Sequence, residues 1–338
     1  MSVDLKKTHA EISRRLDRLD FGRLLPGFHR FPFALYDKEN ACFGDASVPA
    51  DERFIGNTAI KYEGKLAAIW GLRSDPADLD TLAASVAHEM CHCLQIEAAR
   101  KFPEDIDGAF YPRDIGNFAM KHRENLLLAE LCGGFSAAAW REFVRLRSGR
   151  LKKFPGPVAY ELSVEAIEGE AEYVEQKALS ALSPEKAAGK LAKRRALLSS
   201  QDEIFDARRN CYSSGAALLL AADSGGTALP DWRSEAASAA PADCDMPAGL
   251  ERAHEKYFSA VDALIAGVLS KASPVDPGGS RLFSFDPYNV RSSGNDLYHP
   301  HFIMCADEGK EPRCHMGTFI TRMKGRGREI ASVYKMAA

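Results

Sequence analysis

Apolar and polar residues along this chain recur with distinct periods, and the periods predict its elements. Near the start, Leu5, Ile12, Leu16 and Leu19 fall on one stripe of a helix whose other faces carry charges of both signs. Such balance predicts packing on the protein body rather than on a membrane surface. Phe31 to Leu35 and Phe54 to Trp70 read as extended chain, the second folded into a hairpin around Glu63-Gly64. From Leu79 the period lengthens: Leu79, Leu82, Val86, Met90 and Leu94 follow at intervals of three or four, which predicts a helix. Asp75 is its expected cap, with Pro76 at the first helical position.

Pro103, Gly108, Pro112 and Gly116 predict a loop over 103–115, followed by one helix from Phe118 to Arg147. Pro155-Gly156-Pro157 predicts a break. Helices are then expected over 158–182, 185–198 and 200–222, a long loop from Ser224 to Gly249, and a helix from Ala253 to Ser270. From Pro274 the chain is rich in Gly, Pro and aromatics, with short runs such as Thr318-Phe319-Ile320-Thr321, and predicts a small β-containing appendage. The expected class is α+β in three parts: an α/β lobe over 1–110, a mainly helical lobe over 111–272 and the appendage over 273–338.

Composition narrows the setting. A chain of 338 residues buries a large core, and its net charge of −3 with interspersed signs gives no case for nucleic acid. The longest strongly apolar run, Ala216 to Ala222, is too short to span a bilayer. The charged N-terminus is no secretory signal, and eight cysteines without one predict reduced thiols in a cytoplasm. Export by a route without a cleaved signal stays open. Cys91 and Cys93 point in different directions on a helix and are expected as buried small hydrophobes.

The chemistry centres on His88-Glu89-Met90-Cys91-His92. On a helix, residues four apart share a face, so the two imidazoles hold one Zn²⁺ from successive turns. Glu89 then stands beside the metal as the base for its water, which is the zincin arrangement. The plainer reading is two histidines with local hydrogen bonds. Glu161, Glu165, Glu168, Glu172 and Glu175 recur at helical spacing further on, as a solvated acidic face also would. Gly169 in their midst costs a helix about 1 kcal/mol and marks close packing. A third ligand is expected in this stretch, which holds Glu165 and Glu168, with Glu130 and Glu124 on the intervening helix as competitors.

Ile167-Glu168-Gly169-Glu170-Ala171-Glu172-Tyr173 resembles the Asn-Glu-Gly-Phe-Ala-x-Tyr helix of gluzincin metallopeptidases similar to aminopeptidase N, matching at Glu, Gly, Ala and Tyr. The resemblance implies that Glu168 is the zinc ligand. It also implies that Glu172 orients His88, as a carboxylate does in thermolysin-like enzymes. Tyr212-Ser213-Ser214-Gly215-Ala216 resembles the Tyr-x-Lys-Gly-Ala segment of the same proteins, with Ser214 in place of Lys. That likeness implies a hydrogen bond from Tyr212 to the oxyanion; a tyrosine packed at a helix start is the alternative. The chain departs from the family in its longer gap from His92 to Glu168, which implies an inserted helical hairpin. It also lacks the Gly-x-Met-Glu-Asn segment that holds a free amino terminus. The likeness is therefore to a distant gluzincin-like family.

The expected function is zinc-dependent hydrolysis of a peptide or protein in a cleft between lobes, with an edge strand of the first sheet beside the substrate. The alternatives are a catalytically silent zincin-like binding protein and a zinc hydrolase of non-peptide amides or esters. In the tail, Tyr298-His299-Pro300-His301, Cys305 and Cys314-His315 lack a paired Cys-x-x-Cys knuckle and are expected to pack or to face the substrate. A structural zinc site there is the alternative. Lys324-Gly325-Arg326-Gly327-Arg328 lacks the setting of a phosphate loop, and no Gly-x-Ser-x-Gly occurs.

Overall fold

The amphipathic start of the chain folds as α1 (Leu5–Leu16), capped by the Asp4 carboxylate, which accepts from the Lys7 amide at 2.9 Å. Its stripe of Leu5, Ile12 and Leu16 is buried, and α2 (Phe21–Leu24) adds one turn. This computed structural model describes residues 3–240 and 242–336. Five strands follow: β1 (Phe33–Tyr36), β2 (Asn40–Phe43), β3 (Ala46–Pro49), β4 (Thr58–Tyr62) and β5 (Lys65–Gly71). They form one sheet in the order β3-β2-β1-β5-β4, with β1 and β5 parallel and the remaining pairs antiparallel. The β4–β5 hairpin turns at Glu63 and Gly64, whose φ values of 47° and 80° suit the right-handed twist of the pair. The sequence reading missed β2 and β3; β3 has no buried face, so it leaves no alternation to read.

The helix α3 (Leu79–Glu97) packs on this sheet. Its cap is Asp78 rather than Asp75: the Asp78 carboxylate accepts from the Asp80 and Thr81 amides at 3.0 and 3.2 Å. Both aspartates carry the same signal, and the nearer one also accepts from Lys186 at 2.6 Å, a long-range partner that local sequence does not reveal.

The helical part comprises α4 (Asp105–Ala109), α5 (Ile115–Leu131), α6 (Ala137–Lys153), α7 (Pro155–Val164), α8 (Glu170–Leu182), α9 (Pro184–Ser199), α10 (Ala207–Gly225), α11 (Trp232–Ser238) and α12 (Leu250–Leu269). A π-helical turn over Glu165–Gly169 joins α7 to α8 without a break, and a 3₁₀ turn over Asp202–Ile204 precedes α10. Three expectations are corrected. The helix expected from Phe118 to Arg147 is two, interrupted at Gly133-Gly134 and restarted by Ser136 as cap. Its apolar stripe runs on because α5 and α6 face one core. Pro155-Gly156-Pro157 does separate α6 from α7, but as the first turn of α7 and not ahead of it, since proline at the first helical position forfeits no internal hydrogen bond. Short helices α4 and α11 occupy what read as loops.

Three buried cations and three buried carboxylates tie this part together. Arg147 pairs with Glu165 at 2.6 Å and Glu124 at 2.8 Å; Arg150 pairs with Glu124 at 2.6 Å and Glu161 at 2.5 Å. Lys121 closes the set on Glu161 at 3.0 Å. The formal charges cancel, which is the condition for burying them together.

The tail is β-rich, as its sequence predicts. Its strands β6 (Ala272–Val275), β7 (Arg281–Phe285), β8 (Arg291–Ser293), β9 (Asp296–His299), β10 (Phe302–Ala306), β11 (Arg313–Met316), β12 (Phe319–Met323) and β13 (Ile330–Met336) form two sheets. Their orders are β11-β10-β7 and β6-β13-β12-β9-β8. Leu282, Phe285, Ile303 and Phe319 share one buried cluster with Ile106 and Phe110, so the tail packs directly on the α4 region. The chain is thus mixed α+β, and no helix among the described residues is long and apolar enough to cross a membrane.

Candidate metal centre

His88 and His92 leave α3 on successive turns, their ring centroids 5.0 Å apart. Facing them is the π turn that carries Glu168. One ligand atom from each of His88, His92 and Glu168 lies within 4.8 Å of the others, and all three residues are buried. His92 Nε2 stands 3.4 Å from Glu168 Oε2.

The donor set fits a divalent metal. Gln95 donates its amide nitrogen to the Ile167 carbonyl and to Glu170, both at 2.9 Å, which fixes the amide orientation. Its Oε1 therefore accepts from His92 Nδ1 at 2.8 Å. His92 Nδ1–H is thus committed to Gln95, and Nε2 is the nitrogen turned toward the Glu168 carboxylate. A proton or a metal cation between that nitrogen and the carboxylate satisfies both. The 3.4 Å separation is also about the edge of a tetrahedron with bonds near 2.0–2.1 Å. His88 Nδ1, buried and without a hydrogen bond, lies 3.5 Å from Glu175 Oε2. Both imidazoles therefore have their second nitrogen next to an oxygen that orients the ring.

Charge is arranged around the three candidate ligands. Burial resists ionisation of Glu168, but His92, Arg208 and His88 outweigh it and hold its pKa down to about 2. Burial likewise resists a charged His88, yet Glu175, Glu89 and Glu172 push its pKa up to about 9. Burial raises the pKa of Glu89, with His88 and His92 in opposition. Among the described residues no hydrogen bond or ion pair reaches Glu89. It is the uncommitted carboxylate of the cluster.

The other acids are committed. Glu172 bonds Arg194 at 2.8 Å and Lys190 at 3.3 Å on α9, although one of its oxygens is within 4.8 Å of His88 and Glu175. The carboxylate on His88 is that of Glu175, which also takes Lys190 at 2.6 Å and Ser85 at 2.9 Å. Glu175 lies two turns beyond Glu168 and so returns to the face toward α3, whereas Glu172 is drawn toward α9. Glu124 and Glu165 belong to the buried ion network, and Glu130 is exposed on α5 beside Arg195. Glu161, Glu165 and Cys211 also converge, but Lys121, Arg147 and Arg150 already neutralise those carboxylates.

Tyr212 reaches the same place on α10. This helix crosses the π turn where Gly169 meets Gly215, so close that a methyl on Gly169 would lie 2.5 Å from the Gly215 α-carbon. One turn before Gly215, the Tyr212 phenol is hydrogen-bonded to that of Tyr288. Burial and the Glu168 carboxylate raise its pKa, so it stays protonated. One further turn back, Arg208 donates to Glu168 Oε1 at 3.1 Å and to Asp105 at 2.9 Å. Ser214 is buried and donates to Glu165, with the Lys121 ammonium 3.2 Å from its hydroxyl. A lysine charge is thus present there, delivered by α5.

Sequence reasoning missed Gln95, Glu175, Arg208 and Tyr288. The first three had a signal, since each lies on the same helical face as a chosen residue; Tyr288 had none. The tail residues do not converge on a metal among those described. His299 bonds Thr321 at 2.8 Å, His301 bonds Asp286 at 2.6 Å and His315 bonds the Pro277 carbonyl at 2.9 Å. All eight cysteines are free. A groove of about 600 Å³, lined by Phe102, Phe110, Tyr111, Tyr160 and Arg326, adjoins the centre through Phe102, whose ring centroid is 6.3 Å from that of His92.

Comparison with models of protein families, with curated proteins and with solved structures finds no match.

Proposed function

We propose that this chain is a zinc-dependent metallopeptidase of zincin-type, gluzincin-like architecture. The observation that carries the reading is the convergence of His88, His92 and Glu168 on one point, with the unpartnered Glu89 beside it. Two imidazoles and a carboxylate, with His92 and Glu168 at a tetrahedral edge length, suit Zn²⁺. When bound, the ion supplies Lewis acidity, making water acidic near neutral pH and polarising a carbonyl.

The chain's own residues do the rest. Glu89 takes the proton of the attacking water and hands it to the leaving nitrogen as the C–N bond breaks. Its burial-raised pKa suits both halves of that task. Tyr212 donates to the carbonyl oxygen while negative charge builds there. Arg208 holds Glu168 in place from the side away from His92. The aromatic groove fits an apolar or aromatic side chain of a peptide, and the free edge at β4 fits an extended backbone. Unpaired cysteines fit a reducing compartment, so a cytoplasmic setting is part of the proposal. A protein that only bound a partner would have no use for Glu89 as a buried base.

The test is hydrolysis of a quenched peptide library by the zinc-loaded protein, beside Glu89→Gln. Turnover is expected in the wild type and a loss of about 10²–10⁴ in the variant. Equal turnover in both would sink the mechanism. A zinc-loaded wild type that leaves every peptide intact but cleaves small-molecule amides or esters would move the assignment to a non-peptide hydrolase.

A further inference from the structure

The tail brings Tyr288 against Tyr212 and Arg208, beside the candidate metal centre. Residues 286–289 form a turn braced from within: the Asp286 carboxylate accepts from the Tyr288 amide at 2.9 Å, from Asn289 Nδ2 at 2.8 Å and from His301 at 2.6 Å. The same turn is clamped to the start of α10. Arg209 donates to Asn289 at 2.8 Å, and Arg291 donates to Asp206 at 3.0 Å. Between these clamps the Tyr288 phenol meets that of Tyr212.

We propose that Tyr288 is a second catalytic phenol, which acts with Tyr212 as a pair that presents one O–H to the substrate carbonyl oxygen. The inference rests on the metal-centre reading above. In a pair of hydrogen-bonded hydroxyls one proton is shared inside the pair and one remains. Among the described residues neither hydroxyl has another partner, so the remaining proton is free to point at a ligand. A hydroxyl that already accepts a hydrogen bond is the stronger donor for it. Tyr288 is 39% exposed, so the pair is reachable from solvent. Burial of its hydroxyl end, then the Glu168 and Glu89 carboxylates, raise the Tyr288 pKa against Tyr212 and Arg208 and keep the phenol protonated. Arg208, which donates to Glu168, also lies over the Tyr288 ring at 5.7 Å, so the phenol pair stands beside the carboxylate. The β-rich tail is by this reading a wall of the active site, which Arg326 extends along the aromatic groove.

The test replaces zinc with Co²⁺ and follows acetohydroxamate, a carbonyl-bearing metal chelator, by the cobalt absorption bands. Wild type, Tyr288→Phe, Tyr212→Phe, the double variant and Tyr334→Phe as a distant control are titrated, and each melt is recorded to confirm folding. Each single variant of the pair is expected to bind acetohydroxamate about tenfold more weakly, the scale of one hydrogen bond to a charged group. The double variant should lose no more than the weaker single, and the control should match wild type. Cobalt uptake with equal acetohydroxamate affinity in wild type and Tyr288→Phe would overturn the role of Tyr288 alone. Additive losses would overturn the pair. A wild type that takes up no cobalt would overturn the metal centre itself.

Discussion

Gly169 and Gly215 meet backbone to backbone: a methyl on either would stand 2.5 or 2.8 Å from the other's α-carbon. This contact sets the spacing between the π turn, which carries Glu168, and α10, which carries Arg208 and Tyr212. Side chains at the crossing would push the two apart, and the phenol would leave the carboxylate. Gly215→Ala is expected to lower stability by about 1–3 kcal/mol despite alanine's better helix propensity. Urea denaturation measures it. A neutral or stabilising result would mean that the crossing is looser than described.

Glu175, rather than Glu172, should tune the metal site. Glu175→Gln is expected to weaken zinc about 10- to 100-fold in competition with a chelator, the usual effect of losing a carboxylate that orients a ligand histidine. Glu172→Gln should change affinity less, because its carboxylate is shared between Arg194 and Lys190. The reverse order would restore the role that the family resemblance assigns to Glu172.

The buried ion network should be costly to break at one point. Glu124→Gln leaves Arg147 and Arg150 short of a charge in a fully buried setting and is expected to cost about 3–5 kcal/mol. Glu142→Gln, which removes an exposed partner of Arg123, should cost about 1 kcal/mol or less. Urea midpoints of the two variants, compared at equal slope, decide the matter; similar losses would argue that the network is not buried as drawn.

Much of this architecture was legible beforehand, and the failures have common causes. The amphipathic stripes of α1 and α3, the hairpin at Glu63-Gly64 and the helices α9 and α12 follow from periodicity, because each buries a single face. Gly169 stood out as a glycine inside a helix, and its reason is a backbone neighbour 46 residues further on. Helical spacing and the family resemblance nominated His88, His92 and Glu168, but the resemblance put Glu172 on His88 where Glu175 stands, since α9 decides where Glu172 turns. Gly133-Gly134 was overlooked because the apolar pattern carries on across it. Tyr288 was invisible, as nothing local marks a turn that will dock on a helix 76 residues away.

His299 should make folding pH-sensitive. Burial lowers its pKa to about 3, far below an unfolded histidine near 6.5. The unfolded chain therefore binds the extra proton between these values, and the contribution present above pH 6.5 is lost as pH falls toward 3. The slope from this residue alone is at most about 1.4 kcal/mol per pH unit. His299→Gln should flatten the fall in urea stability between neutral and mildly acid pH; a slope identical to wild type would show that His299 does not titrate on unfolding.

The assignment stands or falls on metal binding by three named ligands. Zinc content of the purified, reconstituted protein, measured beside His92→Ala, Glu168→Ala and Glu130→Ala, should be near one equivalent in the wild type and Glu130→Ala and near zero in the other two. A wild type without zinc after reconstitution, or full zinc in a folded Glu168→Ala, would contradict the metal centre described here.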